Sequence, residues 1–146
     1  MLGRIPQGSQ SGLARLMERI APALLYSVMC DDVRREDNGK FLLIGLFEAI
    51  GAKSFPITHP AFYIVNCWCS GLGTFKQKTR IINKEGAVIA EDAQTTFSLD
   101  SLKAKYKVIA RFNNLQLEKP DDYAVEIMLD SDLKVRYPLL VERVER

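Results

Sequence analysis

The chain has 146 residues, of which 47% are apolar and 26% charged, and a formal net charge of +2. That length is one domain, large enough to bury about 68–70% of the surface its unfolded chain exposes, so a core needs neither disulfides nor a structural metal. The near-balanced charge excludes a general pull toward nucleic acid or an acidic membrane, and no apolar run approaches the ~20 residues of a membrane-spanning helix.

Residues 1–12 (MLGRIPQGSQSG) read as a disordered tail. Arg4 followed by polar QGSQSG lacks the apolar segment of a secretory signal. Leu13, Leu16, Met17 and Ile20 then fall at i, i+3, i+4 and i+7, one stripe of a short helix that Pro22 ends. The division expected is a tail over 1–22 and a β domain over 23–146.

From residue 24 the pattern is β. Residues 24–33 form a first strand closed by Asp31 and Asp32. Asn38-Gly39 is a hairpin signal. Residues 41–50 (FLLIGLFEAI) return as a second strand, with Gly45 marking a bulge or a close backbone approach. Residues 51–60, punctuated by Gly51, Pro56 and Pro60, read as a long connection that carries the chain between sheets. Residues 62–70 make a third strand with apolar side chains on both faces: Phe62, Ile64 and Trp68 on one, Tyr63, Val65, Cys67 and Cys69 on the other. Such a strand is central or covered, here by the N-terminal helix or by another subunit.

Strand four, 75–82, alternates cleanly: Lys76, Lys78 and Arg80 against Phe75, Thr79 and Ile81. The turn Asn83-Lys84-Glu85-Gly86 leads to a fifth strand over 88–99. Tyr106, Val108, Ala110 and Phe112 alternate with Lys105, Lys107, Ile109 and Arg111 in a sixth. Pro120 starts the turn before a seventh strand with Tyr123, Val125, Ile127 and Leu129 inward. Asp130-Ser131-Asp132 turns into an eighth, where Pro138 implies an edge or a bulge. About eight strands without interleaved helices predict an all-β fold, a two-sheet antiparallel β-sandwich with a short N-terminal helix.

Several of these residues together carry a resemblance. Cys30-Asp31-Asp32-Val33, Gly39-Lys40, Ile44-Gly45-Leu46-Phe47, Phe55-Pro56, His59-Pro60 and Gly71-Leu72-Gly73 resemble a bacterial family of small uncharacterised proteins, over roughly residues 23–144. The stretch from LIGLF to the FPxxHP pattern is its most specific part. The resemblance implies a compact β-sandwich of unknown function and brings no catalytic residues to transfer.

The chemical inventory is thin. His59 is the sole histidine and sits in a connection, where a structural hydrogen bond is the ordinary role. Cys30, Cys67 and Cys69 are embedded in apolar strands. Cys67 and Cys69 lie about 6.6 Å apart on one face, poor geometry for a disulfide, and C-x-C in a strand is not a zinc knuckle. An odd count of such thiols fits a reducing compartment and a cytoplasmic location. No phosphate-binding glycine loop is present, and the Lys76, Lys78, Arg80 stripe reads as a solvated face.

If successive strands alternate direction, Asp31, Asp32, Asp37, Asp100, Asp130 and Asp132 gather at one end, with Asp31, Asp32, Asp130 and Asp132 as weak ligand-binding candidates for calcium or a carbohydrate. Arg34, Arg35 and Lys40 in the same loops oppose that reading. The expectation is therefore a non-enzymatic binding or assembly module without a cofactor. It associates as a homo-oligomer, or with a protein partner through Leu13, Leu16, Met17 and Ile20, and takes neither nucleic acid nor membrane. The calcium or carbohydrate sandwich is the alternative.

Overall fold

A computed structural model describes residues 19–145. Twelve strands are present among them: β1 (Ala23–Arg35), β2 (Phe41–Phe47), β3 (Ala49–Ala52), β4 (Ile57–His59), β5 (Phe62–Cys69), β6 (Gly73–Ile82), β7 (Val88–Glu91), β8 (Thr95–Leu99), β9 (Lys105–Phe112), β10 (Leu115–Leu117), β11 (Asp121–Leu129) and β12 (Asp132–Arg143). The described residues contain no helix. The helix expected through Leu13, Leu16 and Met17 lies outside them. Its last member, Ile20, is extended and bridges Leu72 through two backbone hydrogen bonds of 2.9 Å.

The strands form a four-stranded sheet in the order β2-β1-β5-β9, a six-stranded group β3-β12-β11-β6 with β7 and β8 sharing the far edge of β6, and a two-stranded pair β10-β4. Side chains of both large sheets meet in one core. Met29, Phe62, Ile64, Trp68 and Val108 come from the first sheet, and Phe75, Ile81, Val125, Ile127 and Leu139 from the second. Period-two alternation puts these residues on the core-facing (inner) side of their strands and leaves the other parity outward.

Within this core lies a polar knot. Asn66 Nδ2 donates to Gln77 Oε1 at 2.9 Å and to Thr79 Oγ1 at 2.8 Å, and Trp68 Nε1 donates to Gln77 Oε1 at 3.2 Å. All four residues are buried. These bonds join β5 to β6 and so fix one sheet against the other, since an unpaired polar group here is costly.

Three boundaries differ from the sequence reading, each for a local reason. The run over 41–50 is two strands in different sheets. The chain breaks at Glu48, and β3 pairs with β12 in parallel, Leu140 opposite Ala49. The chain thus crosses between the sheets first at Glu48, and the 51–60 segment carries it back, as expected, by way of β4, which pairs with β10. The strand expected over 88–99 divides around Asp92, whose Oδ1 takes the Thr79 N–H at 2.8 Å and whose own N–H donates to Thr79 O at 3.0 Å. A side chain has replaced a ladder bond. Finally, β1 does not stop at Asp31 and Asp32 but runs to Arg35.

That extension explains what covers the outer face of β5. The last β1 residue in register with β5 is Cys30, opposite Tyr63. Beyond it, the Phe41 ring, paired with Arg35 near the hairpin tip, lies 5.7 Å from Nζ of Lys107, which is in register with Cys67. A flat hairpin would hold those levels roughly 30 Å apart at about 3.3 Å per residue. The hairpin is therefore bent over the outer face. The bend sits where Gly45 adopts φ 73° opposite Asp31, and a Cβ there would collide with the Asp31 carboxylate. Val65 and Cys67, outward on β5, are sealed. Neither a helix nor a second subunit is needed at that spot.

Candidate functional site

The four aspartates singled out by sequence are not brought together. β5 runs antiparallel to β1, with Cys69 opposite Ala23 and Tyr63 opposite Cys30. Asp31 and Asp32 are thus at the Phe62 end of β5. Asp130 belongs to the other end, because its N–H bonds Lys76 O on β6, which begins just after β5. About 23 Å of β5 separates the two ends. The assumption of simple alternation fails because β3 and β4 intervene between β2 and β5. Among the described residues no group of three His, Cys, Asp or Glu is placed to hold a metal ion.

Two of these carboxylates, Asp32 and Asp130, have local work. Asp32 takes Arg34 Nε at 2.7 Å and the Val33 N–H at 2.9 Å, and the Arg34 bond first, with its charge, holds its carboxyl below the usual range. Asp130 accepts the Lys76 N–H at 3.0 Å and pairs with Arg19. Its burial works upward, but the Arg19 and Lys76 bonds prevail and lower its pKa. Arg19 also donates to Thr74 O at 3.0 Å and lies over the Phe75 ring at 4.4 Å. Asp130 thereby pins the start of the β domain. Asp132 opens β12 opposite Leu129.

His59 stands half-buried on β4, its ring 5.9 Å from Phe47 and 5.3 Å from Phe62. Burial pushes its pKa down, and the Asp31 carboxylate works against that. The thiols of Cys30 and Cys67 are buried, and Cys69 is partly so.

One concave feature was not foreseen. β2 ends at Phe47, opposite Met29, so among the described residues β1 has no neighbour on that side over residues 23–28. β12 likewise has none over residues 132–139, since β3 pairs only with its last part. Between these two free edges lies a groove of about 510 Å³ lined by Met29, Leu46, Phe47, Tyr137 and Pro138, with Glu48 as its charged residue. That volume is in the range of small-ligand and side-chain pockets. Ser27 Oγ and Tyr137 Oη, 2.8 Å apart, bridge its floor. Burial raises the Tyr137 pKa, with the Ser27 bond opposing. Beside the groove, Leu42, Ile44 and Leu46 share one side of β2 and are 44%, 46% and 62% exposed. The sequence signal was available: FLLIGLF is apolar at both parities, and a strand with one covered face cannot hide both.

The outer face of the six-stranded group is built differently. Glu91, Arg80, Glu126 and Arg136 stand in one row across β7, β6, β11 and β12. Glu126 is only 1% exposed although it points away from the core. Its oxygens accept Arg80 Nε at 2.7 Å and Arg136 Nε at 2.7 Å. Burial alone would raise its pKa, but the Arg136 and Arg80 bonds outweigh it and hold the carboxyl below its ordinary value. Two arginine side chains form a thin lid over a shallow charge.

The model of a family described as "Family of unknown function (DUF6941)" matches residues 25–142. No curated protein matches the chain.

Proposed function

The chain belongs to that family of unknown function, and from this premise we propose that it is a non-catalytic assembly module that docks a second copy of itself along β2 and the neighbouring groove. The observation that carries the reading is the row Leu42, Ile44 and Leu46, exposed beside a groove of mixed apolar and polar lining. Contiguous apolar surface of this kind is the mark of a contact site. An uncharged seven-residue edge strand also lacks the lysines and prolines that keep free edges from pairing.

A second copy fits because the surface is complementary to itself. The groove carries Glu48, and the hairpin tip beside Leu42 carries Arg34, Arg35 and Lys40. Patch and groove adjoin on one strand, so a two-fold axis near Ile44 lays each patch toward the other copy's groove and each basic tip toward the other's Glu48. The reading treats the two large sheets as the layers of a β-sandwich, supported by their shared core and the Asn66–Gln77 bond. Three unpaired thiols favour the cytoplasm as its place of work.

Light scattering across a dilution series tests the proposal. A mass that doubles with concentration is expected, and Leu46→Asp returns it to that of the monomer. Glu48→Lys weakens association, and adding Lys40→Glu restores it. A monomeric mass up to millimolar concentration ends the proposal.

A further inference from the structure

Outward alternation on β6 sets Lys76, Lys78 and Arg80 in a row on the face away from the core. Together with Glu91, Gln94 and Ser131 they line an open recess of about 190 Å³. An open recess of this size admits one tetrahedral oxyanion with part of its water shell. The recess brings together three cations and one carboxylate. Lys78 reaches Glu91 at 3.5 Å, both side chains being well exposed, so that pair is loose. Lys76 has no ion pair among the described residues.

The feature that distinguishes this recess from an ordinary lysine stripe is the way Arg80 is held. Glu126, nearly sealed, accepts Arg80 Nε. That bond fixes the guanidinium plane and uses one of its donors, while the Nη groups have no acceptor among the described residues. A fixed, unfilled guanidinium fork matches the paired oxygens of a phosphoryl group. Opposite it, the turn at Asp130 and Ser131 has φ of 50° and 72° and presents the Ser131 hydroxyl at the recess wall. Glu126 does not repel an incoming anion to the extent its charge suggests, because Arg136 balances it from the far side.

We propose that the recess formed by Lys76, Lys78, Arg80 and Ser131 binds a phosphoryl oxyanion, either free phosphate or the phosphate of a small ester. Arg80 supplies the planar fork, the two lysines supply charge, and Ser131 and Gln94 supply neutral donors. The site is on the sheet opposite β2 and stands apart from the proposed dimer contact.

The test is titration of the whole protein with inorganic phosphate at fixed ionic strength, followed by backbone amide chemical shifts and by melting temperature. Shifts centred on residues 76–80 and 131, saturating with phosphate but not with chloride, are the expected result, with a rise in melting temperature. Because Arg80 also neutralises Glu126, the decisive variants are Lys78→Gln and Ser131→Ala, which leave that pair intact. Each lowers phosphate affinity, Lys78→Gln by about tenfold, the factor one charge-assisted hydrogen bond carries. A phosphorylated sugar binding more tightly than phosphate identifies the ester as the source, and equal affinity identifies the free ion. Equal shifts with chloride, or phosphate affinity unchanged in both variants, overturn the proposal. So does a single-stranded oligonucleotide that binds far more tightly than phosphate with a steep salt dependence, which would make the face a nucleic-acid surface.

Discussion

The two outer faces of this protein solve the same problem in opposite ways. On the six-stranded group, outward residues are charged and spend themselves on one another: Glu91, Arg80, Glu126 and Arg136 form a cross-strand row in which even a buried carboxylate is satisfied. On the four-stranded sheet, the outward residues of β2 and β5 are largely apolar, while β9 puts Lys105, Lys107 and Arg111 outward. Part of that face is closed by the chain's own bent hairpin, over Val65 and Cys67, and the hairpin in turn leaves Leu42, Ile44 and Leu46 exposed. A charged face can be complete in a single copy, because ion pairs need only two partners. An apolar face on a sheet edge is complete only when something covers it.

Among the polar ties, the largest effect is expected where the two sheets are joined, and it serves as the baseline for both faces. Gln77→Leu strips Trp68 Nε1 of its acceptor and Asn66 Nδ2 of one of two, in a knot where Asn66 Oδ1 already lacks a protein partner. Each orphaned buried group costs about 1–3 kcal/mol, so the variant loses about 2–4 kcal/mol in urea unfolding, with self-association of the folded fraction unchanged. A loss under 1 kcal/mol would mean that the knot does not hold the sheets.

Next in size is the charged row. Arg136→Leu removes the bond to Glu126 Oε2 and opens one side of the lid, leaving Arg80 alone on a nearly sealed carboxylate. Fully internal pairs broken this way lose 3–5 kcal/mol, but this lid is thin and Arg136 is itself more than half exposed, so about 1–3 kcal/mol is expected. If Arg136→Leu costs nothing, the row is ornament and the contrast between the faces fails.

Acid unfolding separates the same groups. The Glu126 carboxyl has its pKa lowered in the folded state, so its contribution is whole above the ordinary value of 4.5 and is lost as pH falls through the lower folded value. His59 acts in a higher window. Its folded pKa is depressed, so the unfolded chain binds the proton first and stability declines as pH drops below 6.5. Urea midpoints against pH should show both declines. His59→Phe removes the upper one, and Arg136→Leu shrinks the lower.

Much of the architecture was legible from period two alone. The alternation of Lys76, Lys78 and Arg80 with Phe75, Thr79 and Ile81 gave β6 and its wet side, and Pro138 falls where β12 has β11 as its one neighbour among the described residues. What alternation cannot carry is direction and bending. Nothing local in residues 49–59 announces that β3 leaves to pair in parallel with β12, which is why Asp31 and Asp130 seemed to share an end. Gly45 was read as a bulge or close approach, and its positive φ against Asp31 fits that. Its consequence, a hairpin folded across β5, depends on Lys107 and Phe41, more than sixty residues apart in sequence. The groove was illegible for the same reason, since it exists only where β1 and β12 both lack a neighbour.

The smallest expected effect is the most informative about function. Leu46→Ser alters a side chain that is 62% exposed on a strand edge, with no hydrogen bond and little packing to lose. Its effect on the unfolding free energy of the dilute monomer should stay within about 0.5 kcal/mol. The same change removes apolar surface from the centre of the proposed contact, where truncation commonly costs more than 1 kcal/mol of association. Leu139→Ala is the contrast: it is wholly buried on the inner side of β12, so it should lower stability by about 2–5 kcal/mol while leaving the dimer surface intact. Association that vanishes in Leu46→Ser at unchanged monomer stability ties the exposed apolar row of β2 to assembly. If both properties fall together, Leu46 is part of the fold and the face is closed by the chain itself.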